Sequence, residues 1–204
     1  MTILITDRDL EQRLHAERRA LGADRYDEVW EGTYVMAPMP NDERRQLVNR
    51  FAAIFQDVID WPELGHVRPG VNVSDRIDDW QDNYRVPDVA VFLNGGHAVN
   101  HGAFWFGGPD FAIEVISPDD RTLEKLPFYG TARARELLLV HRQPWRLELF
   151  GLQGDRLVVG GQSTTENGAT IVSDVLPFTF RLAPGRDRPK IEVIHTDSNS
   201  RWLV

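Results

Sequence analysis

The chain has 204 residues, 42% apolar and 26% charged, which fits a folded protein and excludes a largely disordered one. It carries no cysteine, which rules out disulfides, cysteine zinc sites, iron–sulfur clusters and thiol catalysis. The formal net charge is −8, which argues against broad, non-specific binding of nucleic acid while leaving room for a local basic groove. Of the 23 Lys and Arg residues only Lys125 and Lys190 are lysines, so each lysine is worth locating.

In chain order, residues 7–20 suit a short polar helix with no apolar leader, so the expected compartment is the cytoplasm. Residues 26–36 read as two short strands around Glu31-Gly32. Asn41 is a capping residue for a helix over 42–60, with Leu47, Val48, Phe51, Ile54, Phe55, Val58 and Ile59 on one face. Residues 66–74, 86–93 and 110–116 read as strands, the last two apolar enough for a sheet covered on both sides. Ser117-Pro118-Asp119-Asp120 is a helix-start signal for a segment over 119–133, which Pro127 should kink or shorten. A hairpin over 136–141 and 145–150 turns at Gln143-Pro144. Strands then follow at 155–159, 169–173 and 178–182, with a last hairpin over 190–204 turning at 197–200. The longest clean apolar run is Leu137–Val140, far short of a membrane span. The expected architecture is α+β or mixed α/β: one domain over 1–204, a core over about 20–150 and a β extension over about 151–204.

Asp88, Glu114 and Lys125 are the strongest chemical constellation. Glu114 lies among Ala112, Ile113, Val115 and Ile116, where period-two alternation fails. A carboxylate inside a doubly covered strand needs a partner or a metal. Carboxylates from adjacent strands are the hard-oxygen arrangement that suits Mg²⁺. Lysine adds a compact positive charge for a water or a phosphate. The bland alternative is a solvent-facing Glu114 on an edge strand.

Other features read more simply. His97 and His101 sit four apart but among glycines, so a loop is expected rather than a metal site. Phe104-Trp105-Phe106 reads as packing before base stacking. Asp75, Asp78, Asp79 and Asp82 lack the spacing of a metal loop. Arg133, Arg135, Arg142 and Arg146 form the basic cluster nearest the acids.

The ordered segments VPDVAVF (86–92), FAIEVISPDD (111–120), KLPFY (125–129) and ELLLV (136–140) resemble the Uma-two family of restriction-endonuclease-like proteins, in the PD-(D/E)XK superfamily. WEGTYVMAPMP (30–40) is similar to that family's first hairpin. The resemblance implies a restriction-endonuclease-like mixed sheet flanked by helices. It implies metal ligation by Asp88, Glu114 and the carbonyl of Val115, with Mg²⁺ or Mn²⁺ as cofactor. Lys125 would stand in for the lysine usually two positions after the second acid, where this chain has Ile116. Glu31 and Tyr129 match supporting positions. The departures are Arg44 where a histidine is often found, His141 where an aspartate is common, and Thr33 for a frequent glutamate.

The function implied is hydrolysis of phosphodiester bonds in nucleic acid, DNA foremost, by a homodimer. Two alternatives stand beside it: a non-catalytic dimeric module that keeps the nuclease fold, and an enzyme acting on a small phosphorylated molecule, for which the acidic balance is no obstacle.

Overall fold

The apolar stretches after Asp88 and Asp110 pair as expected and build the centre of the molecule. In a computed structural model that describes residues 8–116 and 121–204, Val89–Leu93 and Phe111–Ile116 run antiparallel in the middle of a six-stranded sheet. Phe111–Ile116 also pairs in parallel with Glu136–Arg142. Trp145–Gln153 and Arg156–Thr164 extend the sheet on that side by antiparallel hairpins, and Gly65–Arg68 closes the other edge. The sheet is therefore mixed, with one parallel pair among antiparallel ones.

Strand alternation divides this sheet into two faces. Odd-numbered Phe111, Ile113 and Val115 join Val89 and Val91 in one apolar cluster. The amphipathic helix Asp42–Phe55 buries Leu47, Phe51 and Phe55 there. So does a four-stranded antiparallel C-terminal sheet of Ile171–Val172, Phe178–Ala183, Lys190–His195 and Arg201–Leu203, which supplies Phe178 and Phe180. Even-numbered Ala90, Phe92 and Ala112 join Leu137 and Leu139 in a second cluster. The short helix Leu126–Thr131 covers that face with Phe128 and Tyr129, and a small six-stranded sheet adds Val73 and Trp105. Glu114 belongs to the even face, so alternation sends it into this second cluster.

The small sheet begins with the expected hairpin, Glu28–Trp30 against Thr33–Val35. Its two-residue turn has positive φ at both Glu31 and Gly32, the mirror-image turn whose twist matches paired strands. The segment between the two central strands, read only as a turn-bounded insert, forms Val99–Asn100 and Trp105–Phe106 and extends this same sheet.

Three expectations need correction. Residues 66–74 break at Pro69-Gly70 into Gly65–Arg68 and Val73–Ser74, which join different sheets. The helix expected over 42–60 is α-helical only to Phe55 and ends in a π-type turn, Gln56–Asp60. The helix expected over 119–133 is instead a 3₁₀ turn, Thr122–Lys125, followed by Leu126–Thr131 with Pro127 in its first turn, where the missing amide costs nothing. The Ser117–Asp120 start signal lies outside the described residues. No helix among the described residues is long and apolar enough to cross a membrane.

Candidate active site

Register carries the acids together. The antiparallel ladder pairs Val89 with Ile113 and Ala90 with Ala112. One step beyond it, Asp88 stands across from Glu114. The amide of Val115 donates to Asp88 Oδ2 at 2.7 Å and fixes that carboxylate against the neighbouring strand. Both acids are buried: Asp88 is 6% exposed and Glu114 is 0% exposed.

Lys125 and Tyr129 reach Glu114 from the covering layer. Lys125 Nζ donates to Glu114 Oε1 at 2.9 Å, and the Tyr129 hydroxyl donates to the same oxygen at 2.8 Å. Lys125 ends the 3₁₀ turn and Tyr129 lies one helical turn later, so the two side chains share a face. Glu114 Oε2 is buried and has no hydrogen-bond partner among the described residues.

Glu28 completes the cluster and was not among the residues singled out by the sequence. Its Oε1 lies 2.8 Å from Lys125 Nζ. The amide of Val86 donates to Oε1 at 2.8 Å, and Trp30 Nε1 donates to Oε2 at 2.7 Å. Glu31, the acid expected from this hairpin, goes elsewhere. Its side chain is 70% exposed and accepts from Arg76 at 2.9 and 3.0 Å and from Asn83 at 2.8 Å. The physical reason is the turn: at positive φ Glu31 projects from the hairpin tip, whereas Glu28 sits within the strand and faces inward. Period-two spacing puts Glu28 on the same strand face as Trp30, and that is the signal that distinguishes it from Glu31.

Arg44 closes the site on the other side. Asn41 caps the helix by accepting the Arg44 amide at 3.0 Å. From this first turn the Arg44 guanidinium donates to both oxygens of Asp88, Nε to Oδ1 at 3.1 Å and Nη2 to Oδ2 at 3.0 Å.

The electrostatics follow from burial. Desolvation pushes Glu114 up to about 7, against the pull of Lys125 and with added repulsion from Asp88 and Glu28. For Lys125 burial acts downward, yet Glu114 and Glu28 together outweigh it and raise the ammonium above its ordinary value. Tyr129 is pushed well up by burial and by the same two carboxylates. Lys125 is therefore charged near neutral pH and serves as a donor, which favours orienting a water over deprotonating it.

The donor set fits a hard divalent ion in kind. An unpartnered buried carboxylate oxygen on Glu114 opposite Asp88 is the anionic half of such a site. Among the described residues no cluster of three or more His, Cys, Asp or Glu side chains stands ready to hold a metal. Any such ion would rest on Asp88, Glu114, the Val115 carbonyl, waters and substrate oxygens.

Several of the remaining sequence features have structural partners. His101 stacks on Phe104, which in turn stacks on Trp80, and Trp105 stacks on Phe92. Of the basic cluster, Arg135 pairs with Asp110, Arg142 with Glu43 and Arg146 with Glu148. His141 lies 2.5 Å from Glu148, and burial keeps its pKa below the usual range.

The profile of the Uma2 family, described as "Putative restriction endonuclease", matches residues 14–185. The chain is similar to a solved structure from Anabaena variabilis ATCC 29413, titled as a putative nuclease belonging to DUF820. The two share 17% identity at a TM-score of 0.57, over 72% of this chain and 80% of that one. At that identity the likeness carries the fold alone. Comparison with curated proteins found no match.

Proposed function

We propose that this chain, which belongs to the Uma2 family, hydrolyses phosphodiester bonds of nucleic acid, DNA foremost, at the Asp88–Glu114–Lys125 cluster with Mg²⁺ or Mn²⁺. The observation that carries this reading is the buried Oε2 of Glu114, which has no hydrogen-bond partner among the described residues although the carboxylate of Asp88 repels Glu114 from the neighbouring strand, an expensive arrangement unless a cation completes it. A bound divalent ion would supply Lewis acidity toward a phosphoryl oxygen and a lowered pKa for its water.

The chain's own residues divide the remaining work. Asp88 and Glu114 supply negative charge fixed by the sheet register. Lys125, held by Glu28 and Glu114, presents an ammonium proton to the attacking water and positive charge to the phosphate. Tyr129 holds Glu114 Oε1 by a hydrogen bond and leaves Oε2 for a cation. The covering helix and small sheet exclude bulk water and strengthen each of these interactions.

The test is cleavage of plasmid DNA with Mg²⁺ or Mn²⁺ by the native chain and by Asp88→Ala and Glu114→Ala. Metal-dependent cleavage lost in both variants supports the reading; cleavage untouched by either removes it.

A second reading has its own observation. Arg44 already neutralises Asp88, and three arginines of the nearby basic cluster are paired with acids. These pairings favour a non-catalytic module that keeps the nuclease fold, proposed here as a homodimer. Absence of Mn²⁺ binding together with a dimer in sedimentation would favour it over hydrolysis.

A further inference from the structure

A cleft of about 330 Å³ lies between residues 22–26, residues 37–40 and the first turns of the helix Asp42–Phe55. Arg25, Tyr26, Met39, Arg45 and Asn49 line it. Its two loop walls are pinned to each other. Arg18 Nη2 donates to the carbonyls of Ala23 and Ala37, each at 2.8 Å, and the Ala37 amide donates to Asp27 Oδ1 at 2.7 Å. These bonds fix the backbone of the walls and leave the lining side chains for a ligand.

The lining is cationic. Arg25 and Arg45 are exposed, and neither has an ion pair among the described residues. The neighbouring acids are engaged elsewhere: Asp27 accepts from Nε and Nη2 of Arg18, and Asp24 lies 3.8 Å from Arg19. In a chain of net charge −8, two such guanidinium groups in one concavity suit an anion. Arg25 also lies over the Tyr26 ring, 5.8 Å from its centroid, and the Met39 side chain is exposed in the same cleft. An aromatic face and a polarisable thioether beside two cations suit a flat, π-rich group that carries a phosphate. The volume is at the small end of ligand-binding clefts, which fits one nucleotide rather than a base pair.

Two connections put the cleft beside the acids. Arg45 follows Arg44, whose fork holds Asp88. The Tyr26 ring packs on Gly70, where a Cβ would come within 2.8 Å of its Cε1. The Gly70 amide in turn donates at 3.2 Å to the carbonyl of Pro87, the residue before Asp88.

We propose that this cleft binds one unpaired nucleotide of the substrate strand, its phosphate on Arg25 and Arg45 and its base against Tyr26 and Met39, next to the phosphodiester held at the acids. The inference rests on the hydrolytic reading above and narrows it: the substrate must offer a single-stranded or splayed nucleotide there. A free nucleotide has the same chemistry, and the experiment separates the two sources.

The experiment is fluorescence anisotropy of a labelled oligothymidylate with the full chain in EDTA, where metal-dependent cleavage cannot occur. The native chain is compared with the double variant Arg25→Gln with Arg45→Gln, both exposed positions whose change should leave the melting curve in place. Affinity should fall at least about tenfold in the variant. The slope of log affinity against log salt should lose about 0.7, the share of one phosphate on a single strand. On the native chain, an abasic strand of the same length should bind at least about fivefold more weakly for want of stacking, and a duplex should also bind more weakly. No binding by the native chain, or equal binding by the variant, overturns the proposal and leaves a metal nuclease intact. Equal binding of the abasic strand or of the duplex overturns the nucleotide pocket. Thymidine monophosphate that binds as tightly as the strand, and is lost in the same variant, makes a free nucleotide the ligand and overturns the placement on the substrate strand. Arginine-dependent strand binding by a native chain that cleaves no nucleic acid with Mg²⁺ or Mn²⁺ overturns the hydrolytic reading and keeps the nucleotide site.

Discussion

Glu28, in the first hairpin, holds the ammonium of Lys125 at 2.8 Å and shares it with Glu114 at 2.9 Å. This bridge links the small sheet to the central one through a buried charge. It also explains why Lys125 remains protonated in a site that would otherwise drive it neutral. Glu28→Gln keeps an acceptor for the Val86 amide while removing the charge. We expect the fold to persist and metal-dependent cleavage to fall about 10- to 100-fold, the usual effect of losing a group that orients a catalytic one. Parallel melting curves and initial rates would check this, and undiminished turnover would remove Glu28 from the site.

The proton on Glu114 should respond in opposite directions to its two neighbours. Lys125 lowers its pKa and Glu28 raises it, around a value near 7. Lys125→Met should therefore move the midpoint up, and Glu28→Gln should move it down. Carboxyl ¹³C chemical shifts read both midpoints directly. Because the folded chain holds this proton more tightly than the unfolded one, whose reference is 4.5, the group's contribution to stability falls as pH rises from about 4.5 to about 7. Glu114→Gln should flatten that part of the stability profile in urea titrations across the same range.

Asp88 and Arg44 form an ion pair whose two halves should be coupled in stability. Asp88→Ala removes a carboxylate to which the Arg44 guanidinium donates twice at low exposure; breaking a buried pair typically costs up to about 3–5 kcal/mol. The double change Asp88→Ala with Arg44→Met removes both charges and should recover a substantial part of that loss. Urea unfolding of the two single variants and the double variant closes the cycle. Strict additivity would mean that the ion pair contributes nothing beyond its separate parts.

Gly130 is a packing requirement for the helix that carries Tyr129. A Cβ there would lie 2.3 Å from the carbonyl oxygen of Asp155, in the turn between Trp145–Gln153 and Arg156–Thr164. Gly130→Ala must push the helix away from that turn. The expected cost is about 1–3 kcal/mol, the usual range for overpacking, with a weakened bond from Tyr129 to Glu114. A lower melting temperature with an increased Tyr129 ring mobility by NMR would bear this out; unchanged stability would show that the turn yields freely.

Those parts of the protein that depend on local pattern were legible in the order of residues. The apolar runs around Val89–Leu93 and Phe111–Ile116 read as covered strands, and the failed alternation at Glu114 favoured a carboxylate inside one of them. The spacing of Leu47, Phe51 and Phe55 made one helix face, and Asn41 marked its start. Tertiary structure alone decided which distant groups meet those acids. Glu28 rather than Glu31 reaches Lys125, because a hairpin tip points outward and a strand residue inward. Arg44 reaches Asp88 because the helix packs across the sheet with its first turn over the strand start. Pairing across sheets and layers is set by register and packing over long chain separations, and residue types within a short window do not encode it. The same holds for Glu114: residue order made it buried, but only the assembled layers left one of its oxygens bonded and the other bare.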